Sequence, residues 1–149
     1  MKKDHKMKEM TAKFYAVEIA LALRYLHEDL SVVYRDIKPE NILIAADGHI
    51  KLCDFGFAAF VHDVSNTNLI DGCGTAMYVA PEIVGGRKRS SLGFSVDWWG
   101  LGCIIYEMVV GRAPFGDTEK MSKFEVFNNI NRGKFSIPST MSSALKELL

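Results

Sequence analysis

Between Tyr34 and Asp54 the chain sets Asp36, Lys38, Asn41 and Asp54 within 21 residues, on short connections between apolar runs. Pro39 bars a helix through this stretch, because its ring removes a backbone donor and clashes with the preceding turn. Residues 41–45 form an apolar run, Asp47-Gly48 is a turn pair, and residues 49–53 form a second run. Two such runs about a dipeptide turn predict a β-hairpin. The hairpin has a mechanical consequence. It returns the chain so that Asn41, at the start of one strand, lies near Asp54, at the end of the other, and both can reach one metal pair.

The surroundings read as helical. From Thr11, Phe14, Val17, Leu21 and Tyr25 recur at three- and four-residue spacing with Leu26 beside them. That pattern predicts an amphipathic helix of about 18 residues, ended by His27-Glu28-Asp29, with the aromatic stripe in the core. Residues 95–110 are the most apolar stretch and predict a buried helix closed by Gly111. The stretch is too short for a membrane span and carries Asp97 and Glu107. Residues 81–84 predict one helical turn. Residues 119–131, with Phe124, Phe127 and Ile130, predict a second amphipathic helix, and residues 139–149 begin another. Residues 57–73 are irregular and residues 87–91 form a basic surface loop.

Composition excludes several classes. A chain of 149 residues suits one domain with a real core, and 48% hydrophobic with 24% charged residues is ordinary for a globular protein. A net charge of zero gives no global field toward nucleic acid or membrane, so neither is an expected partner. Cys53, Cys73 and Cys103 lack metal-ligand spacing, and their odd number argues against a disulfide framework. No apolar run follows Lys2 and Lys3, so no signal peptide is read, and the expected location is intracellular, in the cytoplasm.

Phosphoryl transfer to a hydroxyl needs the set of groups in residues 34–54: a carboxylate to orient and deprotonate the hydroxyl, a second carboxylate and an amide oxygen for Mg²⁺, and a cation near the base. Asp36-x-Lys38-Pro39-x-Asn41 followed by Asp54-Phe55-Gly56 resembles the protein-kinase catalytic signature. Gly74-Thr75-x-x-Tyr78-x-Ala80-Pro81-Glu82 and Asp97-x-Trp99-x-x-Gly102 follow in the family's order. The resemblance covers about residues 11–149. It implies a mainly α fold, the large helical lobe of a kinase (the C-lobe) with a short β-hairpin. Gly-x-Gly-x-x-Gly is absent and only 33 residues precede Tyr34. The expectation is therefore a partial kinase domain over residues 1–149, with the nucleotide-covering N-lobe absent and acting as its missing partner.

The resemblance also assigns roles. Asp36 is the catalytic base, Lys38 contacts the transferred phosphate of ATP, and Thr75 hydrogen-bonds Asp36 and Lys38. Asn41 and Asp54 bind Mg²⁺. Asp97 holds the backbone of the catalytic loop, and Tyr34 packs on Phe55. Lys38 two residues after the base is the serine/threonine pattern. Tyr34-Arg35-Asp36 and Asp54-Phe55-Gly56-Phe57-Ala58 are similar to the cyclic-nucleotide-dependent branch of the AGC group. In that branch Glu40 and Glu107 receive an arginine before the phosphoacceptor, so the implied substrate is a protein with basic residues before its Ser or Thr. The alternative for Glu107 is an exposed helix charge. Arg35 pairs in that branch with a phosphothreonine. The equivalent position here is Asp71, already an acid, which is expected to order the activation loop without phosphorylation. Ala76-Met77 and Gly72 depart from the branch's pattern. A different reading is a catalytically dead module of kinase origin that binds substrates or partners. The intact Asp36, Lys38, Asn41 and Asp54 favour an enzyme, although the 149-residue chain alone is expected to be inactive.

Overall fold

The computed structural model describes residues 6–61, 75–85, 93–117 and 119–149. Helix α1 (Glu9–Arg24) continues through a π-helical turn, Tyr25–Asp29. The helix is apolar on more than one face, and the face that packs is not the aromatic stripe. Phe14, Val17, Leu21 and Tyr25 are 46–56% exposed, whereas Ala12, Ile19, Leu23 and Leu26 are buried. The reason is shape. Ala12, Ala16 and Ala20 are small and let the backbone of α1 approach its neighbour, with Ile19 and Leu23 filling the space between. Each such side chain contributes about 1.5–3 kcal/mol on burial.

That neighbour is helix α3 (Ser95–Val110). Val96, Leu101, Ile104, Ile105, Tyr106 and Met108 bury it on nearly every side, as a helix without a polar face requires. Gly111 ends it in the left-handed region at φ 83°, donating its N–H to the Glu107 carbonyl at 2.7 Å. Helix α2 (Pro81–Val84) is the predicted single turn.

Strands β2 (Ile42–Ile44) and β3 (Ile50–Leu52) form the expected antiparallel hairpin, in the register Ile42↔Leu52, Leu43↔Lys51, Ile44↔Ile50. A second two-stranded sheet pairs β1 (Val32–Val33) with β4 (Ala59–Phe60), inside a segment read from sequence as irregular. Strands of two residues carry too little alternation to announce themselves.

Helix α4 (Lys123–Asn131) starts later than expected, because Ser122 and Glu125 close a capping box. Phe124 is 73% exposed while Val126 and Ile130 are buried, so the buried face is displaced from the aromatic one. Helix α5 (Ser143–Leu148) likewise starts at a cap, Ser142, and not at residue 139. The described residues are thus mainly α with two small antiparallel sheets, and none of their helices is long and apolar enough to cross a membrane. The core runs from Ile19 and Leu23 through Tyr34 and Ile37 to Ile104, Val126 and Ile130. The polar loop lies on it.

Candidate active site

The site begins with a buried carboxylate in the first turn of α3. Asp97 accepts the Tyr34 N–H on Oδ2 at 2.8 Å and the Arg35 N–H on Oδ1 at 2.7 Å. His27, in the π-helical turn that continues α1, places Nε2 2.8 Å from the same Oδ2, with its ring stacked on Phe94 and edge-on to Trp98. One acid thus ties two helices to the loop. The tie holds Arg35 at φ 67°, a conformation costing a non-glycine residue about 1–3 kcal/mol. Ile37 lies directly on the α3 backbone: a Cβ at Gly100 would stand 2.9 Å from the Ile37 Cβ.

Asp36 is buried. Its Oδ2 accepts from Lys38 Nζ at 2.7 Å and from Asn41 Nδ2 at 2.8 Å, and the same Nδ2 lies 3.0 Å from the Asp36 carbonyl. Among the described residues nothing donates to Oδ1. Pro39 bars an α-helix here but opens a single 3-10 turn, Pro39–Asn41, which swings Asn41 back over Asp36. The expected bonds from Thr75 to Asp36 and Lys38 are not among those that the described residues make. Thr75 instead lines a cavity of about 30 Å³ with Arg35 and Asp36, and its carbonyl accepts the Tyr78 N–H at 3.0 Å.

The hairpin returns the chain to this loop. The Asn41 carbonyl accepts the Cys53 N–H at 3.0 Å, and the Tyr34 hydroxyl donates to the Cys53 carbonyl. Burial and the neighbouring Asp36 carboxylate push the Tyr34 phenol far above its ordinary range, so it remains a donor. The Tyr34 and Phe55 rings meet edge to face at 5.2 Å. Asp54 is exposed at φ 59° and accepts the Gly56 N–H on Oδ1 at 3.1 Å.

The donor set suits Mg²⁺. Asn41 spends its side-chain N–H₂ on Asp36 and keeps its side-chain oxygen Oδ1, and Asp54 keeps Oδ2. The described residues contain no cluster of three His, Cys, Asp or Glu. Mg²⁺ does not require one, since it is commonly held by one or two carboxylates together with substrate phosphates.

Glu107 is half-buried on α3 and takes the Tyr78 hydroxyl at 2.6 Å on Oε2. Burial raises its carboxyl above the usual range, the Tyr78 hydrogen bond opposes this, and the nearby Glu40 charge adds to it. Glu40 itself is exposed. Arg35 donates from Nε to the Phe57 carbonyl. Asp71, with the rest of residues 62–74, and the basic loop at 87–91 lie outside the described residues. Of the described thiols, burial pushes Cys103 up to about 12, and Cys53 is half-buried and free.

Sequence reasoning missed His27, read as a helix end, and the partner of Tyr78. A histidine directly after an apolar helical run was the available signal for the first. Nothing in the sequence pairs Tyr78 with Glu107.

A family model described as the protein kinase domain matches residues 1–149. The chain belongs to the protein kinase family. It is 44% identical over all 149 residues to a cAMP-dependent protein kinase catalytic subunit of Dictyostelium discoideum, and 42% identical to cAMP-dependent protein kinase type 3 of Saccharomyces cerevisiae. A catalytic subunit of Schizosaccharomyces pombe is 44% identical over the same length. This kinase chain spans 21%, 35% and 27% of those relatives respectively. Their names agree with the serine/threonine, cyclic-nucleotide-dependent resemblance.

Proposed function

We propose that residues 1–149 are the helical lobe of a basophilic serine/threonine kinase, which transfers the γ-phosphoryl group of ATP to a protein hydroxyl. The observation that carries this reading is the division of labour on Asp36. One oxygen is held by Lys38 and Asn41, and the other takes no donor from the described residues. In the proposed reaction the substrate hydroxyl attacks the γ-phosphorus, the bond to the β–γ bridging oxygen breaks, ADP leaves, and the hydroxyl proton passes to Asp36. Lys38, already at the carboxylate, meets the charge of the moving group. Asn41 and Asp54 would hold Mg²⁺, which when bound offsets charge on the phosphates.

Glu107, held by Tyr78, and the exposed Glu40 are proposed to receive an arginine of the substrate. Asp71 is proposed to pair with Arg35 in place of a phosphate. The residues that cover the nucleotide are proposed to belong to an amino-terminal lobe outside this chain.

The test is to assay the 149-residue chain alone, and joined to a complementary amino-terminal kinase lobe, with ATP, Mg²⁺ and an Arg-Arg-x-Ser peptide. The joined form is expected to phosphorylate the peptide, and Asp36→Asn to reduce turnover by about 10²–10⁴-fold. The chain alone is expected to be silent. Asp36-dependent turnover by the chain alone would overturn the lobe assignment. Unchanged turnover in the joined Asp36→Asn variant would overturn the base.

A further inference from the structure

Glu18 is on α1, and its carboxylate reaches two consecutive residues of the hairpin. Oε1 bonds His49 Nδ1, and Oε2 accepts the Ile50 N–H at 2.9 Å. Ile50 faces Ile44 at the closed end of β2–β3, but its N–H is turned from that ladder to the helix. The hairpin has three residue pairs and, among the described residues, joins no larger sheet. A two-stranded ribbon of that size is marginal on its own and takes its orientation from what it is tied to. At the open end the tie is the Tyr34 hydroxyl on the Cys53 carbonyl. At the closed end it is Glu18. His49 turns the carboxylate toward β3, with the Phe14 ring 5.8 Å from its own and Asp47 as the other nearby charge.

We propose that Glu18 is a positioning residue for the Asn41–Asp54 pair. By fixing the closed end of the hairpin on α1, it sets the orientation in which the open end presents the amide and the carboxylate. Glu18 touches neither residue and acts through β3. The inference rests on the assignment of Asn41 and Asp54 as metal ligands above.

The experiment uses the 149-residue chain with ATP present, because substrate phosphates complete the coordination of the ion, and Mn²⁺ as a paramagnetic probe of the proposed Mg²⁺ site, read by line broadening near Asp54, together with amide hydrogen exchange. In Glu18→Ala the Ile50 amide is expected to exchange about tenfold faster, since one charge-assisted hydrogen bond is lost. Mn²⁺ affinity is expected to fall by about three- to tenfold, somewhat less than for a residue bonded directly to a metal ligand. Protection of Ile104 in α3 is expected to hold. Glu18→Gln keeps an acceptor for Ile50 and is expected to retain Mn²⁺ affinity. Glu18→Asp withdraws the carboxylate by one methylene and is expected to behave as Glu18→Ala, which decides the matter if the alanine variant loses Ile104 protection. Faster Ile50 exchange with undiminished Mn²⁺ affinity would make Glu18 a structural strap and overturn the proposal. If the unsubstituted chain shows no Asp54-dependent Mn²⁺ binding, the ligand assignment itself fails and the positioning role falls with it. That result differs from a loss of affinity confined to the Glu18 variants, which supports it.

Discussion

Asp97 accepts the Arg35 amide at 2.7 Å across 62 positions of sequence, while its other carboxylate oxygen accepts the Tyr34 amide at 2.8 Å. The geometry of the loop from Tyr34 to Asn41 is therefore written partly in α3. Asp97→Ala would leave one buried and one part-buried N–H group without acceptors, at up to about 1–3 kcal/mol each, and would free Arg35 to leave its left-handed conformation. The expected loss in urea unfolding is about 3–5 kcal/mol, with a smaller loss for Asp97→Asn, which keeps one acceptor oxygen. A change within about 0.5 kcal/mol for the alanine variant would show that the loop is held by other means.

Gly100 and Ile37 make a second test of how tightly the loop sits on α3. Alanine gains about 1 kcal/mol over glycine inside a helix. At Gly100 the new Cβ would stand 2.9 Å from the Ile37 Cβ, an atom that cannot move without its backbone. Overpacking of this kind costs about 1–3 kcal/mol, so Gly100→Ala is expected to destabilise despite the propensity gain. Gly102→Ala is the control, because a Cβ there meets nothing within 4 Å. Its expected effect is neutral or a gain. Thermal midpoints of the two variants moving in the same direction would refute the argument.

The polar loop and hairpin were legible because their signals are local. Pro39, Asp47-Gly48 and the flanking apolar runs act over a few residues. The central helix was legible because α3 is apolar on nearly every side and ends at Gly111. The buried face of α1 was not, since Phe14, Val17 and Leu21 have the same periodicity as Ala12, Ile19 and Leu23. Only the partner helix decides which of the two stripes is covered, and small residues won that choice. The polar ties of the site were illegible for a related reason. Asp97 to Arg35, Tyr78 to Glu107 and Glu18 to Ile50 each join residues at least 29 positions apart, and no spacing rule reaches that far. For Asp97 the family resemblance provided what spacing could not.

We propose that Asp71 takes the place in sequence of the phosphothreonine that the resemblance implies, with Arg35 as its partner. One carboxylate offers one negative charge against about −1.5 to −2 for a phosphate, so the substitution is partial. Joined to an amino-terminal lobe and produced in a host lacking activating kinases, the protein is expected to be active without phosphorylation. Asp71→Ala is expected to lower activity more than Thr67→Ala or Ser65→Ala. Activity lost to phosphatase and unaffected by Asp71→Ala would rule out the constitutive pair.

Glu107 gives the clearest pH dependence. Burial raises its carboxyl above the ordinary 4.5, the Tyr78 hydroxyl works against this, and Glu40 reinforces it. Between the unfolded value and the raised folded one, the folded state binds more protons than the unfolded state. Stability from this residue is therefore present at low pH and declines as pH rises through that window. Glu107→Gln is expected to raise the thermal midpoint at pH 7 and to flatten its pH dependence above about pH 4.5. Tyr78→Phe removes the donor that favours the carboxylate and is expected to steepen it. The same charge is proposed to hold a substrate arginine, so a basic peptide is expected to bind more tightly as Glu107 ionises, and Glu107→Gln to abolish that gain. Midpoints measured across pH 4.5–7.5 and peptide titrations at both ends of that range check the two halves separately. A Glu107→Gln variant less stable than the parent at pH 7 would mean that the Tyr78 bond outweighs the burial cost.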